Sequence, residues 1–147
     1  MIERVDHVHI VARDMDRSID FYTHILGFRL LRRVESGPAD RRRQLAYVRL
    51  GDFMLELVEP AHDGEFRGTE ARPLGLAVAD LERTVADLKR LGVEVVNEPA
   101  PAFSFAGLQA VIRDPSGLAI EVRQYAAADS PLGADWQPAR ADVVRLA

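Results

Sequence analysis

Apolar and polar positions follow a regular pattern near the N-terminus of the chain, and the same pattern returns later. The alternation from Val5 to Ala12 predicts a β-strand. Asp14 is placed to cap a helix whose apolar residues recur at helical spacing until Gly27 ends it. The segment from Leu74 to Gly92 repeats this order of apolar run, aspartate, helical period and glycine. The pattern therefore predicts two similar modules.

A second pair of matching segments supports the duplication. The segment from Gln44 to Pro60 is echoed from Leu108 to Tyr125, and the echo places Glu56 opposite Glu121. Each half is therefore predicted to have the order β-α-β-β-β. Strands are predicted at 5–12, 28–34, 45–50 and 53–59 in the first module and at 74–78, 93–97, 108–113 and 118–124 in the second, with helices at 15–26 and 81–91.

The segments between these elements set the expected boundaries. We expect one domain over 1–125, made of module 1 (1–60), a linker (61–72) rich in glycine and charge, and module 2 (73–125). A C-terminal arm is expected over 126–147. Residues 98–105 contain two prolines and two phenylalanines, which predicts an irregular segment, and Asp114 to Gly117 is predicted to form a turn.

Composition narrows the classes of function. The 147 residues are 48% hydrophobic with a formal charge of −4, which is typical of a globular protein and gives no support for a nucleic-acid partner. The chain has no cysteine, so a metal would have to use His, Asp or Glu. No apolar run is long enough for a membrane span, and the N-terminus does not resemble a signal peptide. We expect a cytoplasmic protein with no membrane partner.

Glu56 and Glu121 each stand in the middle of an apolar strand. A carboxylate in such a position needs a cation or strong hydrogen bonds to stay ionised. A single glutamate of this kind most often lies on the solvated face of a sheet. Two at matching positions of a duplicated module favour a site, and they would point into one shared groove if the modules pack side by side.

His7 and His9 form a His-x-His pattern on the first predicted strand. Their Cα atoms would lie about 7 Å apart with both rings on one face, which allows two imidazoles to converge on one metal. The alternative is that one histidine is a hydrogen-bonded groove residue and the other is a ligand or has no role. His24 and His62 are expected to be solvated.

Three segments together carry a resemblance to a known family: DHVHIVARDMDRSIDFYTHILGF, LGDFMLELVEP and DPSGLAIEV. They resemble the vicinal oxygen chelate superfamily, which includes glyoxalases, bleomycin-resistance proteins and extradiol dioxygenases. The resemblance covers Val5 to about Tyr125. It implies an α+β fold of two βαβββ modules that form a curved, mostly antiparallel open sheet around a divalent metal.

The resemblance also implies a set of metal ligands. His7 matches the first-strand histidine, and Glu56 and Glu121 match the last-strand acids of the two modules. The fourth ligand position, a histidine in the family pattern, is expected at Leu74, which cannot bind metal. His9 is then a substitute ligand or a base, and one imidazole with two carboxylates favours Zn, Mn, Mg, Co or Ni.

Two functions remain open after this comparison. The first is a metal-dependent lyase or isomerase that stabilises an enolate or enediolate, with Glu56, Glu121 and His9 as catalytic residues. The second is a metal-free protein of the bleomycin-resistance type that binds a drug or metabolite. The loss of a ligand at Leu74 favours the second, whereas retention of three ligand-type residues favours the first. An extradiol-type dioxygenase is the least favoured.

The substrate itself is not specified by the sequence. Arg123 shares a strand face with Glu121 and is a candidate to hold a carboxylate or phosphate, although a solvated or paired arginine is an equal alternative. Phe103, Phe105 and Tyr47 are candidates for the walls of a substrate pocket. A homodimer is expected, because one module alone cannot enclose a metal.

Overall fold

A computed structural model describes residues 5–40, 42–60, 72–102 and 105–126. These residues form two compact units, the first with 5–60 and 114–118 and the second with 72–113 and 119–126. The predicted arm, Phe103, His62 and all of the predicted linker but Arg72 lie outside the described residues, apart from Ala126 at the start of the arm. Within the described ranges, no helix has the length and apolarity needed to cross a membrane.

The first unit has the predicted order β-α-β-β-β. Its elements are β1 (Val8–Val11), α1 (Met15–Asp20), a π-helical turn (Phe21–Ile25), β2 (Arg29–Ser36), β3 (Arg43–Leu50) and β4 (Phe53–Val58). The strands form a sheet in the order β1-β4-β3-β2, in which β1 is parallel to β4 and the other pairs are antiparallel. This sheet brings the first strand beside the last, which sets the position of Glu56.

The helix of the first unit changes its winding halfway along. Asp14 caps α1 as predicted, since its Oδ1 accepts a hydrogen bond from Arg17 N at 3.0 Å. After Asp20 the backbone widens, and Leu26 N donates to Phe21 O over five residues at 3.0 Å. Gly27, with φ of 80°, ends the segment. The single α-helix predicted over 15–26 is therefore wrong in its second half.

The core of the first unit is built around Tyr22, which is fully buried. Its ring makes edge-to-face contacts with Phe21 and Phe28 at centroid distances of 5.2 and 5.7 Å. Its hydroxyl donates to Asp114 Oδ2 at 3.2 Å. Burial raises the pKa of Tyr22 above its ordinary value, so the phenol stays protonated and acts as a donor.

Asp114 belongs to the predicted turn at 114–117, which is confirmed: Gly117 N donates to Asp114 O at 3.0 Å. The carboxylate of Asp114 also accepts hydrogen bonds from Ser116 N and Leu118 N at 2.9 and 2.8 Å. Ser116 Oγ accepts from Arg13 N at 3.0 Å. Residues 114–118 thus pack in the first unit, although they connect two strands of the second.

The second unit repeats the fold, as predicted. Its elements are β5 (Leu74–Ala77), α2 (Leu81–Arg90), β6 (Val95–Pro101), β7 (Gly107–Arg113) and β8 (Ala119–Tyr125). The strand order is β5-β8-β7-β6, with β5 parallel to β8. Asp80 caps α2 by accepting from Arg83 N at 3.0 Å. Both units are therefore βαβββ modules with mixed four-stranded sheets, which confirms the α+β fold.

Two predicted boundaries need correction. The first strand begins at Val8 rather than Val5, so His7 lies just before it. The irregular segment predicted at 98–105 is wrong in its first half, because β6 continues to Pro101. The two prolines of this stretch are tolerated because β6 is the edge strand of its sheet and its register shifts between Asn97 and Ala100.

Candidate functional site

Glu56 stands on the face of the first sheet opposite the core. Its neighbours along β4, Leu55 and Leu57, are fully buried, whereas 13% of the Glu56 side chain is exposed. The register places His9 of β1 and Tyr47 of β3 directly beside it. The apolar residues on either side therefore hold the strand against the core and leave the carboxylate on the other face.

Three side chains approach the Glu56 carboxylate. Tyr47 Oη donates to Oε1 at 2.6 Å, and this hydrogen bond raises the pKa of Tyr47. His7 Nε2 lies 3.2 Å from Oε2, and His9 Nδ1 lies 3.9 Å from the same oxygen. The structure thus gathers Glu56, His7, His9 and Tyr47 into one polar cluster, which we call the histidine cluster.

Asp6 is a member of this cluster that sequence reasoning missed. Its Oδ2 lies 3.0 Å from His7 Nδ1, and this hydrogen bond is the main cause that raises the pKa of His7 above 6.5. A proton on Nδ1 directed at Asp6 leaves Nε2 facing Glu56. The signal was present in the sequence as a carboxylate directly before the histidine.

Glu121 has different partners in the second unit. Its Oε2 accepts from Arg123 Nε and a terminal Arg123 nitrogen at 2.9 and 2.5 Å, and Arg72 lies 4.0 Å from Oε1. Arg123 also donates to the Tyr125 hydroxyl at 3.3 Å, and its guanidinium lies 5.0 Å from the centre of the Phe105 ring. We call Arg72, Glu121, Arg123 and Tyr125 the arginine cluster.

The placement of the fourth ligand position at Leu74 is wrong. In the first unit Val8 pairs with Leu55 and His9 with Glu56, whereas in the second Leu74 pairs with Ile120 and Gly75 with Glu121. Leu74 is therefore the counterpart of Val8, and it is buried on the core face with 4% exposure. The residue before it, Pro73, is the exposed counterpart of His7 and offers no donor.

The error arose from the spacing of the repeat. Glu56 and Glu121 are 65 residues apart, but the first strands of the two units are 66 residues apart. A slip of one residue moves a side chain to the other face of a strand. The second unit still lacks the family histidine, now because a proline occupies the position.

The donor chemistry fits a metal in part. His7 and Glu56 offer an imidazole nitrogen and a carboxylate oxygen on one sheet face, the donors that a divalent metal uses. Glu121 does not fit as it is held, because a cation there would lie beside the positive charge of Arg123. Across the described ranges, no three His, Asp or Glu side chains are arranged to hold a metal ion.

The remaining candidates lie apart from metal-type donors. Phe105 is buried and packs against Arg123 and against the Tyr125 ring, with the two ring centroids 4.6 Å apart. Exposed His24 forms an ion pair with Asp20 at 2.7 Å. An open cavity of about 790 Å³ also occurs in the first unit, but it is lined by none of the residues predicted for the site. Its lining includes Arg13, Arg42, Arg43 and Glu59.

Comparison with known proteins identifies the family. A sequence profile of the Glyoxalase/Bleomycin resistance protein/Dioxygenase superfamily matches residues 4–122, so the chain belongs to this superfamily. It is 32% identical to a lactoylglutathione lyase of Neisseria meningitidis over 134 residues, which cover 86% of this chain and 94% of that one.

Solved structures of two kinds resemble the chain. The trypanothione-dependent glyoxalase I of Leishmania major is 29% identical with a TM-score of 0.65, over 84% of this chain and 87% of that one. TnmS3, an antibiotic binding protein from Streptomyces, is 26% identical with a TM-score of 0.60, over 85% of this chain and all of that one. The neighbours therefore include an enzyme and a binding protein, as the two hypotheses require.

Proposed function

We propose that this chain is a glyoxalase-like lyase or isomerase that acts on a small oxygen-bearing substrate. The observation that carries the proposal is the histidine cluster, in which a largely buried carboxylate is held between a phenol and an imidazole. The similarity to lactoylglutathione lyases over most of both chains supports the reaction class.

Glu56 is the proposed proton-transfer group. Its Oε1 is fixed by the hydrogen bond from Tyr47, which leaves Oε2 to take a proton from a carbon next to a carbonyl. His7 is held by Asp6 on one side and faces Oε2 with the other, so it keeps the carboxylate oriented. His9, 3.9 Å from Oε2, is the proposed second base.

His7 and Glu56 are also the proposed ligands of a divalent metal, which is Zn, Mn, Mg, Co or Ni. A metal bound there would supply Lewis-acid stabilisation to the enolate or enediolate oxygen of the substrate. Glu121 is the third proposed ligand, and it becomes available only when Arg123 releases its carboxylate. With proline at position 73, we expect binding weaker than in a site with four protein ligands.

A metal-free binding protein is the second candidate. It is favoured by one specific observation: the carboxylate at the ligand position of the second unit is already paired with a guanidinium. The antibiotic binding protein with this fold provides a precedent for such a function. The expected homodimer and cytoplasmic location stay predictions in either case.

An activity assay with matched variants separates the two candidates. Purified protein is supplied with each of the five metals and with lactoylglutathione, whose thioester absorbance reports the reaction in either direction. We expect turnover in the wild type and at least a hundredfold loss in Glu56→Gln, about 3 kcal/mol in transition-state stabilisation. Turnover that is equal in the two proteins would contradict the role of Glu56.

A further inference from the structure

Arg123 is held in one orientation by partners on three sides. Along β8, residues 121, 123 and 125 share a sheet face because strand side chains alternate. Glu121 contacts the side edge of the guanidinium, Tyr125 contacts one terminal nitrogen, and the Phe105 ring lies against the planar group. A long side chain fixed in this way loses little conformational entropy when it binds a ligand.

The guanidinium retains donors beyond these contacts. An arginine side chain carries five N–H groups, and the contacts to Glu121 and Tyr125 use three of them. The side chain is 31% exposed, so the remaining two donors are open to a ligand. Two donors of one guanidinium match two oxygens of a planar carboxylate or of a phosphate.

The charge of the arginine cluster favours an anion. Arg72, 43% exposed, lies 4.0 Å from the second oxygen of Glu121, so two guanidinium groups surround one carboxylate. The cluster therefore carries one net positive charge, and desolvation of the 15% exposed Glu121 makes its interactions stronger than in water. An arginine that only neutralised Glu121 would need neither the second guanidinium nor the aromatic support.

We propose that Arg123, assisted by Arg72, forms an anion site that binds the carboxylate or phosphate group of a small-molecule ligand. Glu121 acts as a positioning residue in this site, because it holds the side edge of the guanidinium and leaves the terminal nitrogens for the ligand. The inference rests on the proposed function only in treating this face as a ligand-binding face, and it deepens that function by assigning the ligand a negative charge.

The test is a titration of the full-length, ¹⁵N-labelled protein with inorganic phosphate and, separately, with acetate, against chloride at matched ionic strength. The Arg123 Nε–H resonance should shift and saturate with phosphate, acetate or both. Arg123→Gln should weaken binding by about tenfold or more, since charge-assisted hydrogen bonds are lost. Arg72→Gln should weaken it by about threefold, as expected for a more exposed charge.

Arg113→Gln is the matched control. Arg113 also lies in the second unit and forms an ion pair with a glutamate, Glu94, at 3.1 Å, so its loss should leave anion affinity unchanged. If Arg123→Gln does not fold, Arg123→Lys keeps the charge without the two-donor fork and replaces it. The proposal is overturned if neither ion shifts the Arg123 resonance, or if the Arg123 and Arg72 variants bind phosphate and acetate like the wild type.

The outcome is independent of the lyase proposal. His7→Ala and Glu56→Gln remove groups of the histidine cluster and should leave anion affinity unchanged while turnover is lost. A wild-type protein that binds phosphate through Arg123 but converts no substrate would refute the lyase proposal alone. Turnover without anion binding would refute the anion site alone.

Discussion

Tyr47 Oη donates a hydrogen bond of 2.6 Å to Glu56 Oε1 across two neighbouring strands. The equivalent glutamate of the second unit, Glu121, is paired across its sheet with Val111, which has no donor, and takes its hydrogen bonds from Arg123 instead. The two copies of the module therefore keep the carboxylate and differ in what holds it.

Tyr47→Phe tests the importance of this hydrogen bond for turnover. Loss of a hydrogen bond to a charged group costs about 1.5–3 kcal/mol, so kcat should fall by about tenfold or more while KM changes little. A double-mutant cycle with Glu56→Gln should show strong coupling between the two residues. Additive effects would mean that Tyr47 does not act through Glu56.

Pro73→His and Leu74→His test the corrected register of the second unit. Pro73 is exposed and is the counterpart of His7, so an imidazole there should tighten divalent-metal binding by about tenfold. Leu74 is buried in the core, so Leu74→His should instead lower the free energy of unfolding by about 2–5 kcal/mol. The opposite pattern, measured by calorimetry and urea unfolding, would restore the original placement.

Asp6→Asn tests the cause of the raised pKa of His7. NMR titration should find this pKa above 6.5 in the wild type and lower in Asp6→Asn, with a smaller decrease in Glu56→Gln because the Asp6 hydrogen bond is the main cause.

The same shift fixes the sign of a stability effect. Because the folded pKa is raised, the stabilisation is complete below pH 6.5 and is lost as the pH rises through the folded pKa. The difference in Tm between wild type and Asp6→Asn should therefore be larger at pH 6 than at pH 9. A difference that grows with pH would contradict the assignment.

Tyr22→Phe and Ser18→Ala form a matched pair in the first unit. Tyr22→Phe deprives buried Asp114 of a donor and should lower the free energy of unfolding by about 1–3 kcal/mol in urea. The buried hydroxyl of Ser18 has no hydrogen-bond partner in the described part of the chain. Its removal should be neutral or slightly stabilising, and equal losses in both variants would refute the distinction.

Much of the fold follows from local rules that sequence displays directly. Strand alternation, the caps at Asp14 and Asp80 and the repeat itself predict both βαβββ modules. The π-helical turn was not predictable, because a widened turn keeps nearly the same apolar spacing as an α-helix. The packing of Asp114 in the first unit depends on contacts far apart in sequence, which periodicity does not reveal.

The candidate site was predictable to the level of residue types. His7, Glu56, Arg123 and Tyr47 were recognised from position and chemistry, yet the pairing of Glu121 with Arg123 depends on side-chain geometry that strand alternation only permits. The error at Leu74 has a similar origin, since a repeat offset that differs by one residue between strands is invisible without the register.

Calorimetric titration of metal-free protein with Zn²⁺ and Mn²⁺ tests the central claim, that His7 and Glu56 form the chemical centre of the molecule, without knowledge of the substrate. We predict one saturable site per chain in the wild type. The affinity should fall by about tenfold or more in both His7→Ala and Glu56→Gln, because each removes one donor. Absence of saturable binding in the wild type, or equal affinity in all three proteins, would contradict the account and favour the metal-free binding protein.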